Sequence, residues 1–154
     1  MQAGVELGKT GAIRVSEEMR TNIKEIFAAG DCVESFSVID GKSFYRPMGS
    51  TANKMGRIAG DVITGGNLKF RGVVGTGIVR CFDLTCGHTG YTEIEALNAG
   101  YDVEIIHNIK PNQTEYFEGS SEMVIKCVAD RKTGRVLGVQ ITGNGNRWSQ
   151  CTHL

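Results

Sequence analysis

From Pro47 to Gly65 the apolar residues Met48, Ala52, Met55, Ile58, Ala59, Val62 and Ile63 recur at helical spacing, with Ser50 and Thr51 near the start and Gly65-Gly66 as a stop. That periodicity predicts an amphipathic helix. Upstream the pattern is of shorter range. Gly8 and Gly11 punctuate a turn, and Ile13 and Val15 fall on one side of a short strand, which reads as a hairpin. The run Ile26-Phe27-Ala28-Ala29 predicts a compact strand buried on both faces, of the kind found in parallel sheets. After Gly72 alternation takes over. Ile78, Arg80, Phe82 and Leu84 share one side of a predicted strand, and Val79, Cys81 and Asp83 share the other. Thr92 and Glu95 form a capping box for a short helix ending at Gly100. Val103 to Ile109, Met123 to Ala129 and Arg135 to Thr142 predict three further strands, the last two joined by the hairpin loop Asp130 to Gly134. The second half is therefore α+β with an antiparallel sheet. The boundary between the halves is expected between Gly66 and Gly72.

Composition narrows the class. The chain has 154 residues, 40% hydrophobic and 22% charged, which suits one ordinary core or two small ones. Seventeen basic residues balance seventeen acidic ones without a basic block, so the footprint that holds a phosphate backbone is missing and nucleic acid is a poor candidate partner. No apolar run reaches bilayer length, and the amino terminus lacks the basic start and apolar core of a signal segment. No membrane partner and a cytoplasmic location are expected. Five cysteines at positions 32, 81, 86, 127 and 151 do not form a secreted disulfide framework, so reduced thiols are expected.

Candidate chemistry centres on Gly30-Asp31. An apolar run that ends in glycine lets a ligand approach the backbone, and the carboxylate that follows can accept hydrogen bonds from polyol hydroxyls. Asp is equally a common turn former and helix cap, and the helix after Pro47 is on periodicity alone a plain packing element. Gly75-Thr76-Gly77 and Gly143-Asn144-Gly145 imitate half of a dinucleotide fingerprint without the third glycine between strand and helix, and they read as turn glycines. Cys81 and Cys86 have C-x4-C spacing. On one extended strand they would lie about 16 Å apart on opposite faces, outside disulfide reach. Cys86 and His88 could share a face as metal ligands, but no second pair accompanies them at zinc spacing, and no metal site is expected.

The order of these features, including Gly30-Asp31, Arg46-Pro47-Met48 opening a long helix, Gly75 to Leu84, Thr89-Gly90-Tyr91-Thr92-Glu93 and Ala99 to Val103, resembles the carboxy-terminal part of the FAD-dependent pyridine nucleotide-disulfide oxidoreductases. The nearest branch looks like the coenzyme A-disulfide reductase, NADH oxidase and NADH peroxidase group, and the resemblance covers about residues 4–143. It implies an α+β fold in which residues 1–70 are the end of an FAD-binding α/β domain and residues 71–154 an antiparallel-sheet dimerisation domain incomplete at its carboxy terminus. It implies that Asp31 holds the ribityl chain of FAD, that Gly30 admits the cofactor, and that the helix starting at Met48 and Gly49, with Ala52 in its first turn, faces the flavin pyrimidine. Exposed N–H groups there would stabilise negative charge on the reduced ring. Tyr116 matches a tyrosine that in the coenzyme A branch reaches toward the partner subunit's active site, and Phe117 and Glu118 depart from that pattern.

The family reaction also needs a Gly-rich pyrophosphate turn, a redox cysteine on a helix and an NAD(P)H domain, and the sequence contains none of these. The expectation is a fragment, inactive alone, of an FAD-dependent enzyme that reduces a disulfide, oxygen or peroxide with NAD(P)H. As a partner it would have its own missing domains and a second copy of itself. This chain alone would retain FAD weakly or not at all. The competing expectation is a non-enzymatic homodimerisation module that has lost its cofactor. From Asn144 to Leu154 the sequence leaves the family pattern.

Overall fold

The computed structural model describes residues 3–144, so the segment Asn144 to Leu154, expected to leave the family pattern, lies outside the described residues from Gly145 onward. The chain divides into two compact units, residues 1–73 and 74–154.

The first unit holds little regular structure apart from one long helix. Leu7 and Ile13 face each other across a turn in which the Gly8 N–H donates to the Ala12 carbonyl, and Ile13 bridges in parallel to Val33. The predicted hairpin is thus present as single bridges. A short antiparallel pair follows, β1 (Ser35–Phe36) with β2 (Ser43–Phe44). Helix α1 (Gly49–Ile63) buries Met55, Ala59 and Val62 and leaves Ile63 exposed. Its end is a Schellman motif. Gly65 has φ +93°, its N–H donates to the Val62 carbonyl, and the Gly66 N–H reaches back to the Asp61 carbonyl. The chain then returns to the core of this unit. Phe70 packs edge-on against Phe36 with centroids 5.8 Å apart, and Val73 bridges Ser37. Met19, Val33, Met55, Ala59 and Phe70 form the buried cluster.

The expected strand at residues 26–29 is not formed. Phe27 makes one isolated bridge, to Arg20, and Ile26 is exposed. The segment is the return arm of a tight turn in which the Thr21 hydroxyl and N–H both donate to the Ile26 carbonyl. A strand buried on both faces must belong to a sheet covered on each face, and among the described residues this segment has no sheet partner beyond the single bridge to Arg20.

The second unit is a five-stranded antiparallel sheet of order β3-β4-β7-β6-β5, comprising β3 (Gly77–Cys81), β4 (Leu84–Gly90), β5 (Val103–Pro111), β6 (Glu122–Asp130) and β7 (Val136–Asn144). Helix α2 (Glu93–Asn98) carries the chain from β4 to the far edge and packs against β5. The capping box is formed as expected: the Thr92 hydroxyl accepts from the Glu95 N–H, and the Glu95 carboxylate accepts from the Thr92 N–H. Val128 on β6 pairs with Gly138, and Ala129 pairs with Val136. Leu137 is therefore the extra residue of a bulge, and its carbonyl accepts from the Tyr91 N–H.

Two expectations for this half are corrected. Ile78 to Leu84 is not one strand but a hairpin that turns at Phe82-Asp83, with Cys81 opposite Leu84. Gly77 and Gly143 lie within strands, Gly143 buried, and so are not turn glycines.

The Asp130–Gly134 loop closes on its own carboxylate. The Thr133 hydroxyl donates to Asp130 Oδ2 at 2.6 Å, and the Gly134 N–H donates to the Asp130 carbonyl oxygen. The Thr133 hydrogen bond, helped by the Lys132 and Thr133 N–H groups and the Lys132 charge against some desolvation, holds the Asp130 carboxyl below its ordinary range. A folded pKa below the unfolded value of about 3.9 means that this stabilisation is present above that pH and fades as pH falls through the folded value. We expect wild type to lose stability relative to Asp130→Asn as pH drops below about 5, measured by urea unfolding at each pH. Parallel profiles would contradict it.

Among the described residues, no helix is long and apolar enough to cross a membrane.

Candidate functional site

Five of the six singled-out residues lie in the first unit, and the structure brings two segments of them together. Gly30 adopts φ +91°, where a side chain would be strained, and a Cβ placed on it would sit 3.7 Å from the Ala52 Cβ. Residues 22 positions apart in sequence thus form adjoining walls: a bare backbone corner at Gly30 and the first turn of α1. Asp31 is exposed directly after that corner. The Val33 N–H donates to the Gly30 carbonyl, which fixes the turn.

The amino-terminal end of α1 is open. Met48 is its N-cap residue with extended backbone (φ −153°, ψ 136°), no side chain caps the helix, and its first turn holds no acidic residue. The leading N–H groups of a helix have no partner within it and carry the positive end of its dipole. Gly49 and Ser50 are exposed, so nothing bulky covers them. The end is thus suited to an electron-rich group, with no acidic side chain in the helix's own first turn.

One residue of this site had no sequence signal. The Tyr45 hydroxyl donates to the Asp31 backbone carbonyl at 2.9 Å and ties the segment leading into α1 to the Gly30-Asp31 corner. Next to it, the Arg46 guanidinium lies 4.8 Å from the Phe44 ring centroid. An aromatic residue in an irregular segment has no periodicity to mark it, and its partner is a backbone atom 14 residues away.

Tyr116 belongs to the second unit. It lies in the loop between β5 and β6, 80% exposed, with its ring centroid 4.7 Å from that of Phe117 at a 41° tilt.

A polyol-bearing cofactor with an electron-rich ring fits these donors. The Gly30 corner offers close approach, Asp31 an acceptor for hydroxyls, and the open helix end N–H donors. With this goes an antiparallel sheet crossed by one short helix. Residues 77–149 match the family described as pyridine nucleotide-disulphide oxidoreductase, dimerisation domain, and residues 1–56 match pyridine nucleotide-disulphide oxidoreductase. The chain belongs to that oxidoreductase family. It is 45% identical over 145 residues to the NAD(P)H sulfur oxidoreductase (CoA-dependent) of Pyrococcus furiosus, covering 92% of this chain and 32% of the relative. To the NAD(P)H coenzyme A polysulfide/persulfide reductase of Pyrococcus horikoshii it is 42% identical over 143 residues, covering 93% and 32%. Among solved structures, a NAD-dependent persulfide reductase from A. fulgidus superposes with a TM-score of 0.91 at 39% identity, covering 94% of this chain and 27% of that one. The chain spans about a third of the length of the curated relatives it matches.

Proposed function

We propose that this chain supplies one wall of a flavin site and the dimerisation sheet of an FAD-dependent NAD(P)H oxidoreductase, acting on a coenzyme A-linked sulfur substrate. The observation that supports the reading is the packing of the Gly30 corner against the first turn of α1, where a Cβ built on the glycine would stand 3.7 Å from the Ala52 Cβ. Asp31 accepts hydrogen bonds from the ribityl hydroxyls. The N–H groups at Gly49 and Ser50 would hold the electron-rich edge of the flavin ring, where the helix dipole would favour negative charge on the reduced ring. FAD, when bound, supplies hydride and electron transfer between nicotinamide and the sulfur acceptor. The coenzyme A and sulfur preference rests on the relatives from the two Pyrococcus species, which are more alike to this chain than the NADH oxidase of Methanocaldococcus jannaschii at 35% identity. Tyr116, exposed at a loop tip, is assigned to the partner subunit's side of a homodimer.

Flavin affinity of this chain alone is weak, because the pyrophosphate cradle is not among its motifs. The test is therefore local. In a two-dimensional amide NMR titration, FAD should shift signals of residues 29–32 and 48–53, and Asp31→Ala should reduce those shifts severalfold. Shifts elsewhere, or none at saturating FAD, would overturn the assignment and favour a cofactor-free dimerisation module.

A further inference from the structure

The β3–β4 hairpin changes the meaning of the C-x4-C spacing. Cys86 pairs with Val79 and Cys81 with Leu84, so Val79, Cys81, Leu84 and Cys86 all project from the same face of the sheet. The sequence expectation of opposite faces assumed one continuous strand, and the turn at Phe82-Asp83 reverses it. Cys81 and Cys86 are diagonal neighbours on adjacent strands. Both are free thiols and both are exposed. The turn between them is tightly set: Phe82 holds φ +54°, a value for which glycine is the usual residue, and Arg80 Nε donates to the Phe82 carbonyl at 3.0 Å. Cys86 Sγ is in turn held 3.4 Å from the Thr142 hydroxyl on β7.

Diagonal positions lie about 7–8 Å apart between Cα atoms, beyond the roughly 4.4–6.8 Å that a disulfide spans. A direct S–S bond is therefore disfavoured. A bridging atom relaxes the demand, because two metal–sulfur bonds of about 2.3 Å each replace one S–S bond. Among the described residues no group of three or more His, Cys, Asp and Glu side chains forms a metal site. Zinc, which takes four protein ligands in structural sites, is thus poorly served. A centre that needs two sulfurs and brings its own remaining substituent is well served.

We propose that Cys81 and Cys86 form a dithiol clamp for thiophilic metalloids, with a mono-organic trivalent arsenical as the matching ligand class. The reaction balances without an oxidant: an arsenic(III) oxide R–As=O condenses with two thiols to R–As(S–Cys)2 and one water, both protons leaving on the oxide oxygen. The clamp is built from residues of the second unit alone, and its proposal does not rest on the flavin reading.

The probe is phenylarsine oxide, with adducts counted by intact-protein mass. The wild-type chain should take up one phenylarsenic group that survives excess β-mercaptoethanol and is stripped by 2,3-dimercaptopropanol. Chelation by two linked thiols exceeds single-thiol binding on the order of a hundredfold. Cys81→Ser and Cys86→Ser should each lose the resistant adduct, while Cys32→Ser, Cys127→Ser and Cys151→Ser keep it. Circular dichroism of the two clamp variants, both altered at exposed positions, controls for folding. If folding fails, peptide mapping of the wild-type adduct decides, and it must place both bonds in the peptide spanning 81–86. A resistant adduct that persists in Cys81→Ser, or that is lost in Cys151→Ser, overturns the proposal.

Discussion

Replacing Gly138 with alanine will cost the second unit about 4 kcal/mol or more, at the extreme of single substitutions. Gly138 pairs with Gly90 where β7 meets the end of β4, immediately beside the bulge at Leu137. A Cβ on Gly138 would stand 2.0 Å from the Tyr91 carbonyl oxygen and 2.7 Å from the Tyr91 nitrogen. Those atoms are backbone and cannot swing aside. They are also committed, since the Tyr91 N–H donates to the Leu137 carbonyl and the Tyr91 carbonyl accepts from Gln140 Nε2. Relief therefore means separating β7 from the start of the crossover into α2. Gly87 is the control: its Cβ would find only the Gly77 carbonyl at 3.9 Å, an ordinary contact. Gly87→Ala should lie within about 1 kcal/mol of wild type, where reduced freedom of the unfolded chain offsets small losses. Thermal unfolding, with hydrogen exchange of the β4 and β7 amides to locate the damage, reads both. For a unit of this size the Gly138 variant should melt at least about 15 °C lower. Equal midpoints for the two variants would mean that the bulge region gives way cheaply.

The features legible in the sequence are those with a repeating period or a short-range signature. The apolar rhythm from Met48 to Val62 marks α1, and Thr92 with Glu95 marks α2, because each signal lies within the element it specifies. The β3–β4 turn was hidden for the opposite reason. Two-residue hairpin loops advertise themselves through Gly, Asn or Asp at positive φ, whereas here Phe82, 92% exposed, takes φ +54° and continues the alternation of the strand before it. Its conformation is imposed by pairing from Gly77↔His88 to Cys81↔Leu84, which no local pattern encodes. At the candidate site, Gly30, Asp31 and the start of α1 were each visible as residues, but their adjacency was not. It depends on packing across the cluster of Met19, Val33 and Met55, and the tie from Tyr45 to a backbone carbonyl leaves no trace in residue type.

That dependence makes Met55, buried in the cluster on the same helix as Ala52, a probe of how far the core holds the candidate site. Met55 is 1% exposed and sits in the cluster with Met19, Val33, Ala59 and Phe70, while Ala52, one turn earlier on the same helix, forms the wall against Gly30. Truncating a buried methionine to alanine removes its transfer free energy and leaves a cavity, at about 2–5 kcal/mol. In a unit of 73 residues that also builds much of its core from irregular chain, the loss falls on α1 first. We expect Met55→Ala to lower the denaturation midpoint of the helical circular dichroism signal and to speed hydrogen exchange along α1. Ile63→Ala, at a position 61% exposed on the same helix, should stay within about 0.5 kcal/mol of wild type. The consequence for function is specific. If α1 loosens as a body, FAD-induced shifts at residues 48–53 should vanish in Met55→Ala under conditions where most of the chain is still folded, and those at Gly30 should weaken with them. Unchanged shifts at both segments would show that the wall at Ala52 is held by the Tyr45 tie and the neighbouring chain, not by the core beneath the helix.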